Sequence, residues 1–302
     1  MRVLFTGGGG AGSEAIWRLL KDRYDVHFAD ADPLAFAAPI PVDRRHQIPF
    51  AATKEFPAAL ASLCKRLGID VLAPGVDEEL PRIPATVKSL VLMPQRDYVQ
   101  IMLDKLAMAR ALAENGVDAP RTVTLDRAAE IGFPCIVKPR HGRGSRNVQV
   151  VAGAEQLRAY LTLNGGSAED YVAQELLGGQ EYTVLVAADR AGELRAVVPI
   201  RVDVKRGITI RAETEKEPSV IGYCKALHAA IPTSGPYNVQ LMLDGVRARA
   251  FEINPRISTT FCLVLAAGVD PITLYADAAP SGALAPFRTG VKLRRYWTND
   301  IA

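Results

Sequence analysis

Apolar and polar positions change period several times along the first third of the chain. Val3–Thr6 is a short apolar run that stops at glycines, and Ser13–Leu20 has helical spacing with Ala15, Ile16, Leu19 and Leu20 on one face. Val26–Ala29 reads as the next strand, ending at Asp30. Phe56–Leu67 reads as a helix, and Val71–Ala73 and Val91–Met93 as two more strands. Short strands alternating with helices predict a parallel sheet, assigned here to residues 1–95.

Val99–Asn115 is again helical and closes on Gly116, where a helix C-cap is expected. Past Ala119-Pro120, alternation with a period of two takes over. It predicts strands at Arg121–Leu125, Ile136–Lys138, Val148–Val151, Tyr171–Leu176, Glu181–Ala188, Ala196–Val204, Tyr237–Leu243 and Arg249–Ile253. Ile136–Lys138 and Val148–Val151 pair across the turn at 139–147. The last two strands flank Asp244-Gly245, a two-residue hairpin signal. The fold class is therefore α/β followed by α+β, with the second part divided at 96–173 and 174–302. The basic, aromatic tail Arg288–Ala302 receives no element.

Composition narrows the function classes. Of 302 residues 49% are apolar, enough for a real core, and the net charge of +3 is spread without blocks of one sign. That argues for no nucleic acid and no membrane among the partners. No apolar run reaches the ~20 residues that span a bilayer. The start, MRVLFTGGGG, lacks the regions of a signal peptide. Cys64, Cys135, Cys224 and Cys262 lie far apart, which speaks against structural zinc and for reduced core thiols in a cytoplasmic protein.

Two stretches carry candidate chemistry. Gly7–Gly12 satisfies GxGxxG between a strand and a helix, with Asp30 ending the next strand, the context of a dinucleotide fingerprint. The reading preferred for this stretch is a tight turn that lets helix and sheet pack closely. The second constellation is longer. Lys105 opens the middle helix and Lys138 closes an apolar strand. Gly142, Arg143, Gly144 and Ser145 lie in a cationic turn whose N–H groups can cradle phosphate. Around Gln174, Glu175 and Leu176, a backbone segment could pair with an adenine edge, and Glu181 could accept from ribose hydroxyls. Glu252 and Asn254, two apart, share a strand face, and Gln240 can join them from the facing strand. Three oxygen donors suit Mg2+. In this register Phe251 and Ile253 alternate toward the core.

FPCIVKP, the EL-LGGQEYTV stretch, GPYNVQLMLD and FEINPRISTT carry a family resemblance. Residues from about 100 to 275 resemble the ATP-grasp superfamily. The nearest resemblance is to the synthetase domains of the carbamoyl-phosphate synthase large subunit and the stand-alone carboxylate–amine ligases similar to them. The first 95 residues are similar to the Rossmann-like domain that precedes the ATP-grasp fold in those proteins.

The resemblance implies a nucleotide site in which Lys105 and Lys138 bind ATP phosphates under a lid at Gly142–Arg146. Gln174 and Leu176 would offer backbone groups to adenine, and Glu181 would hold the ribose. It also implies Mg2+, with Mn2+ as the substitute, on Glu252 and Asn254 with help from Gln240. Arg256 would steady the acyl phosphate, and Arg201 and Lys205, alternating onto one strand face, would meet an anionic substrate. The implied activity is ATP-dependent ligation of small-molecule carboxylate and amine substrates, and a homodimer is the assembly expected of a soluble enzyme. Two other readings stay open at this point: an NAD(P)-dependent oxidoreductase using Gly7–Gly12, and a non-catalytic nucleotide-binding protein.

Overall fold

The computed structural model describes residues 1–277 and 282–297. Strands β1 (Arg2–Thr6), β2 (Asp25–Asp30), β3 (Arg45–Gln47), β4 (Val71–Ala73) and β5 (Leu90–Val91) form a parallel sheet in the order β3-β2-β1-β4-β5. Alternation along β1 sends Val3 and Phe5 to the side of helix α1 (Ser13–Leu20), and Leu4 to the side of helix α2 (Phe56–Leu67). The sheet is thus covered on both faces, as parallel sheets are. The strand order turns back at β1, which opens a crevice at the carboxyl ends of β1 and β4. Strand β5 is shorter than the expected Val91–Met93.

The single helix expected over Val99–Asn115 is two, α3 (Arg96–Leu103) and α4 (Lys105–Glu114). Asp104 between them is extended, and its side chain accepts from the N–H groups of Leu106 and Ala107. A capping aspartate favours this non-helical position over helix continuation.

A four-stranded sheet follows in the order β6-β9-β7-β8, from β6 (Thr122–Thr124), β7 (Cys135–Pro139), β8 (Gln149–Val151) and β9 (Tyr171–Glu175). Helix α5 (Ala154–Asn164) covers part of it, with Tyr160 in the core of that layer. The largest sheet is antiparallel, in the order β14-β13-β10-β11-β12-β15. It comprises β10 (Gln180–Ala188), β11 (Leu194–Arg206), β12 (Ile208–Thr214), β13 (Gly235–Asp244), β14 (Arg247–Asn254) and β15 (Lys292–Arg294). Strand β15 comes from the tail that the sequence pattern left without an element. Residues 298–302 of that tail lie outside the described residues.

One face of this sheet, with Val184, Val186 and Tyr237, packs on Val220, Cys224 and Leu227 of helix α6 (Pro218–Ala230). The other face, with Leu185, Ala187 and Val198, joins helices α7 (Phe261–Ala266) and α8 (Pro271–Ala276). The same cluster holds Val3, Phe5 and Ile16 of the first sheet. The first and last parts of the chain therefore share one core. Among the described residues no helix is long and apolar enough to cross a membrane.

Strands β11, β12 and β14 of the large sheet carry bulges. In β11 Asp203 is the extra residue, between Val202 and Val204, and in β12 it is Ile210, between Thr209 and Arg211. In β14 the register shifts at Phe251, because Gln240 pairs with Glu252 while Leu241 pairs with Ala250. Each extra residue reverses which face the following side chains meet.

Candidate active site

A cavity of about 370 Å³ lies between the four-stranded sheet and the large sheet. Three lysines converge on it. Lys138, on β7, is 4% exposed. Its Nζ donates to Gln174 Oε1 at 2.8 Å and to the Phe251 carbonyl at 3.1 Å. No carboxylate among the described residues forms an ion pair with it, and burial lowers its pKa to about 8. The charge of Glu252 opposes that shift, while Lys105 and Lys205 add to it. Lys105 donates to the Gly142 carbonyl at 2.8 Å. Lys205 donates to Glu181 Oε1 at 2.5 Å and Gln240 Oε1 at 2.9 Å. Ile136, Val148, Leu177, Met242 and Phe251 give the same cavity an apolar wall, the mixed lining that binds a flat heterocycle with an anionic tail.

A smaller cavity, about 100 Å³, adjoins it along the strand face of β13 and β14. Gln240 pairs with Glu252 across the ladder, and Asn238 with Asn254. Glu252 lines both cavities and makes no ion pair among the described residues. Asn238 Oδ1 accepts from Thr183 Oγ1, while its buried Nδ2 has no partner, so a donor is left over for an acceptor such as a phosphate oxygen. Among the described residues no group of three His, Cys, Asp or Glu side chains gathers around a metal position. The donors here are hard oxygens on one carboxylate and several amides. They fit a Mg2+ that keeps phosphate and water ligands, not an all-protein cage. Gln240 Oε1 accepts from Lys205, which leaves one lone pair of that oxygen toward the small cavity beside Glu252 and Asn254.

Four expectations change. Gln174 lies inside β9, between β6 and β7, so its backbone belongs to the sheet; its side chain instead bridges Lys138 and Thr122. Leu177, not Leu176, lines the nucleotide-sized cavity. Glu175 also lines it, with its carboxylate tied to Arg249 at 2.8 Å. Arg201 and Lys205 do not share a face. The β11 bulge at Asp203 separates them, and Arg201 turns to Asp203, Glu213 and Glu215 while Lys205 enters the cavity. Phe251, the bulged residue of β14, faces the cavity, and its ring centroid lies 5.6 Å from both Lys138 Nζ and Lys205 Nζ.

The cationic turn at 139–147 lies at this junction. Gly142, Arg143 and Ser145 line the large cavity, and Gly144 and Ser145 the small one. Arg143 is paired with Glu78 at 2.9 Å. Arg256 is paired with Asp77 at 2.5 Å and lines the small cavity. Asp77 and Glu78 belong to a 3-10 turn, Asp77–Arg82, just beyond the carboxyl end of β4. Asp77 and Glu78 have no place among the candidate residues; the position of that acidic run at a strand's carboxyl end is the signal available.

The Gly7–Gly12 turn serves packing. The Gly9 N–H donates to Asp30 Oδ2 at 2.8 Å, so it meets a carboxylate that would repel a pyrophosphate. A Cβ on Gly9 would lie 2.2 Å from that of Ala35, and one on Gly12 would lie 3.0 Å from the Thr259 carbonyl. These contacts favour the packing reading of this turn over the dinucleotide one.

A cleft with three lysines, an oxygen-rich strand face and an arginine-bearing turn, set between two α+β layers, defines a nucleotide-binding class. The chain belongs to the ATP-grasp domain family, whose model matches residues 102–260. The carbamoyl phosphate synthase large chain of Rubrobacter xylanophilus is 27% identical over 198 residues, 56% of this chain and 18% of that one. The chain thus spans less than a fifth of the length of this curated relative. Among solved structures, N5-carboxyaminoimidazole ribonucleotide synthetase from Thermus thermophilus is similar over 96% of this chain and 81% of its own, with a TM-score of 0.69 and 16% identity. The L-amino acid ligase from Bacillus licheniformis is similar over 86% of this chain and 68% of its own, with a TM-score of 0.64 and 15% identity. These two likenesses concern the fold.

Proposed function

We propose that this protein is an ATP-dependent carboxylate–amine ligase that forms an amide through an acyl phosphate, with an amino acid or other small carboxylate as substrate. The observation that carries the reading is the convergence of Lys105, Lys138 and Lys205 on a cavity that opens onto Glu252 and Asn254. Such a cavity suits a polyanion with a hard cation at one end. In this reading Lys105 and Lys138 hold the phosphates, the Gly142–Arg146 lid covers them, and the apolar wall at Leu177, Met242 and Phe251 takes the adenine. Glu181 accepts from the ribose. Glu252 and Asn254 would hold Mg2+, which would supply charge neutralisation for the phosphates.

The substrate carboxylate attacks the terminal phosphate to give an acyl phosphate and ADP. The amine then displaces phosphate to give the amide. Arg256 and Lys205 stand where they can stabilise the charge that develops. Catalysis is then positioning and electrostatics, with no covalent enzyme intermediate.

Glu252→Ala is expected to reduce substrate-dependent ADP release by about 100-fold or more, with an unchanged far-UV circular dichroism spectrum. The substrates are found by screening paired amino acids for ATP-dependent phosphate release, with mass spectrometry of the products. Wild-type turnover by the variant would remove Glu252 from the metal site and with it this reading.

A further inference from the structure

A third cavity, about 330 Å³, lies in the crevice at the carboxyl ends of β1 and β4. We propose that it binds an ammonium-bearing substrate, a small α-amino acid with an apolar side chain, holding the ammonium group between Glu79 and Asp30 and presenting the carboxylate toward Arg256. The assignment of that carboxylate as the group to be activated rests on the ligase reading; the ammonium site itself does not.

The contrast among three consecutive acids supports this. Asp77 and Glu78 each carry an arginine, Arg256 and Arg143. Glu79, from the same turn, lines the cavity at 5% exposure, and among the described residues it forms no ion pair. Its carboxylate accepts from the Thr6 hydroxyl, which in turn accepts from the Gly75 N–H. Asp30 lines the same cavity, and its own partners are the N–H groups of Gly9 and Asp32. Arg143 and Arg256 also line the cavity, but each is paired with another acid, Glu78 or Asp77, so Glu79 and Asp30 face the same space without an ion pair of their own and a bound ammonium relieves their repulsion. Burial first, and then the charge of Asp30, push the Glu79 carboxyl up to about 7, against the Thr6 hydrogen bond and the charge of Arg143.

The rest of the cavity fixes the orientation and the side chain. Ile16, Phe50, Ile208 and Ile257 supply an apolar wall. Arg256 lines both this cavity and the small one that holds Glu252 and Asn254. A zwitterion with its ammonium at Glu79 therefore places its carboxylate at the passage to the phosphate end of the nucleotide cavity.

Isothermal titration of the full chain with L-alanine, L-valine, L-leucine and L-phenylalanine tests this. At least one is expected to bind saturably, and the same acid lacking its amino group to bind about tenfold more weakly or less. Glu79→Gln is expected to weaken the amino acid by about tenfold or more while leaving MgADP affinity unchanged. Ala51→Phe, which fills the cavity wall without touching the Thr6–Glu79 contact, should abolish amino-acid binding in a folded chain. Equal binding of the amine-free acid, wild-type affinity of either variant, or no amino-acid binding by a chain that binds MgADP would overturn the proposal. Amino-acid binding by a chain that does not bind MgADP would support this site and overturn the nucleotide reading.

Discussion

Lysine is seldom buried unless paired, and Lys138 is buried against neutral oxygens. The Gln174 amide and the Phe251 carbonyl accept from its ammonium group without cancelling the charge. Burial brings its pKa from 10.5 to about 8. Between those values the unfolded chain holds a proton that the folded chain has lost, so this group makes stability rise with pH across that window; below about 8 its cost is constant. Phosphate binding has the opposite demand, since it needs the charged form. MgADP affinity is expected to be flat below pH about 8 and to fall above it, and Lys138→Arg, which stays charged, should lose that fall. Titration calorimetry at pH values on either side of 8 decides it, and a flat wild-type profile would sink the assignment. The position of Lys138 at the end of an apolar strand was readable from its neighbours in sequence. The part played by Gln174 was not, because strand order, which local pattern does not reveal, puts β9 in the middle of its sheet.

At the scale of elements, alternation located most of the strands, missed β3, β12 and β15, and failed where a strand bulges. One inserted residue reverses the parity, so Phe251 reads as core in the sequence and faces the cavity in the fold. The same event separates Arg201 from Lys205. Helix α6 was readable but went unread: Val220, Cys224 and Leu227 already mark a helical stripe. The Phe251 case has a measurable consequence. A core phenylalanine replaced by alanine typically loses about 3–5 kcal/mol. With its ring against Lys138 and Lys205 instead, Phe251→Ala should lose less than about 1.5 kcal/mol in urea unfolding, and MgADP affinity should fall by about tenfold as ring contacts to the base and the two ammonium groups vanish. A core-sized destabilisation would restore the alternating reading.

Over the whole molecule, the first sheet and the last are joined both by packing and by polar contacts. They share a core in which Val3, Phe5 and Ile16 meet Leu185, Val198 and Phe261. They are also bridged by Asp77 and Arg256, whose side chains are 10% and 12% exposed and make two hydrogen bonds, at 2.5 and 3.2 Å. A domain tethered only by a linker would unfold on its own; one that shares a core should melt with its partner. Asp77→Ala leaves the Arg256 guanidinium without its counter-charge, a loss of about 3–5 kcal/mol for a buried pair. That loss is expected to lower one transition, coincident by far-UV circular dichroism and by tryptophan fluorescence, and not to split it in two. Adding Arg256→Ala removes the stranded charge, so the double variant should be less destabilised than the sum of the single ones. If Arg256 also steadies the acyl phosphate, this recovery of stability will not bring back ADP release, because the guanidinium is gone. A double variant that regains both would make the arginine a strut between sheets and nothing more.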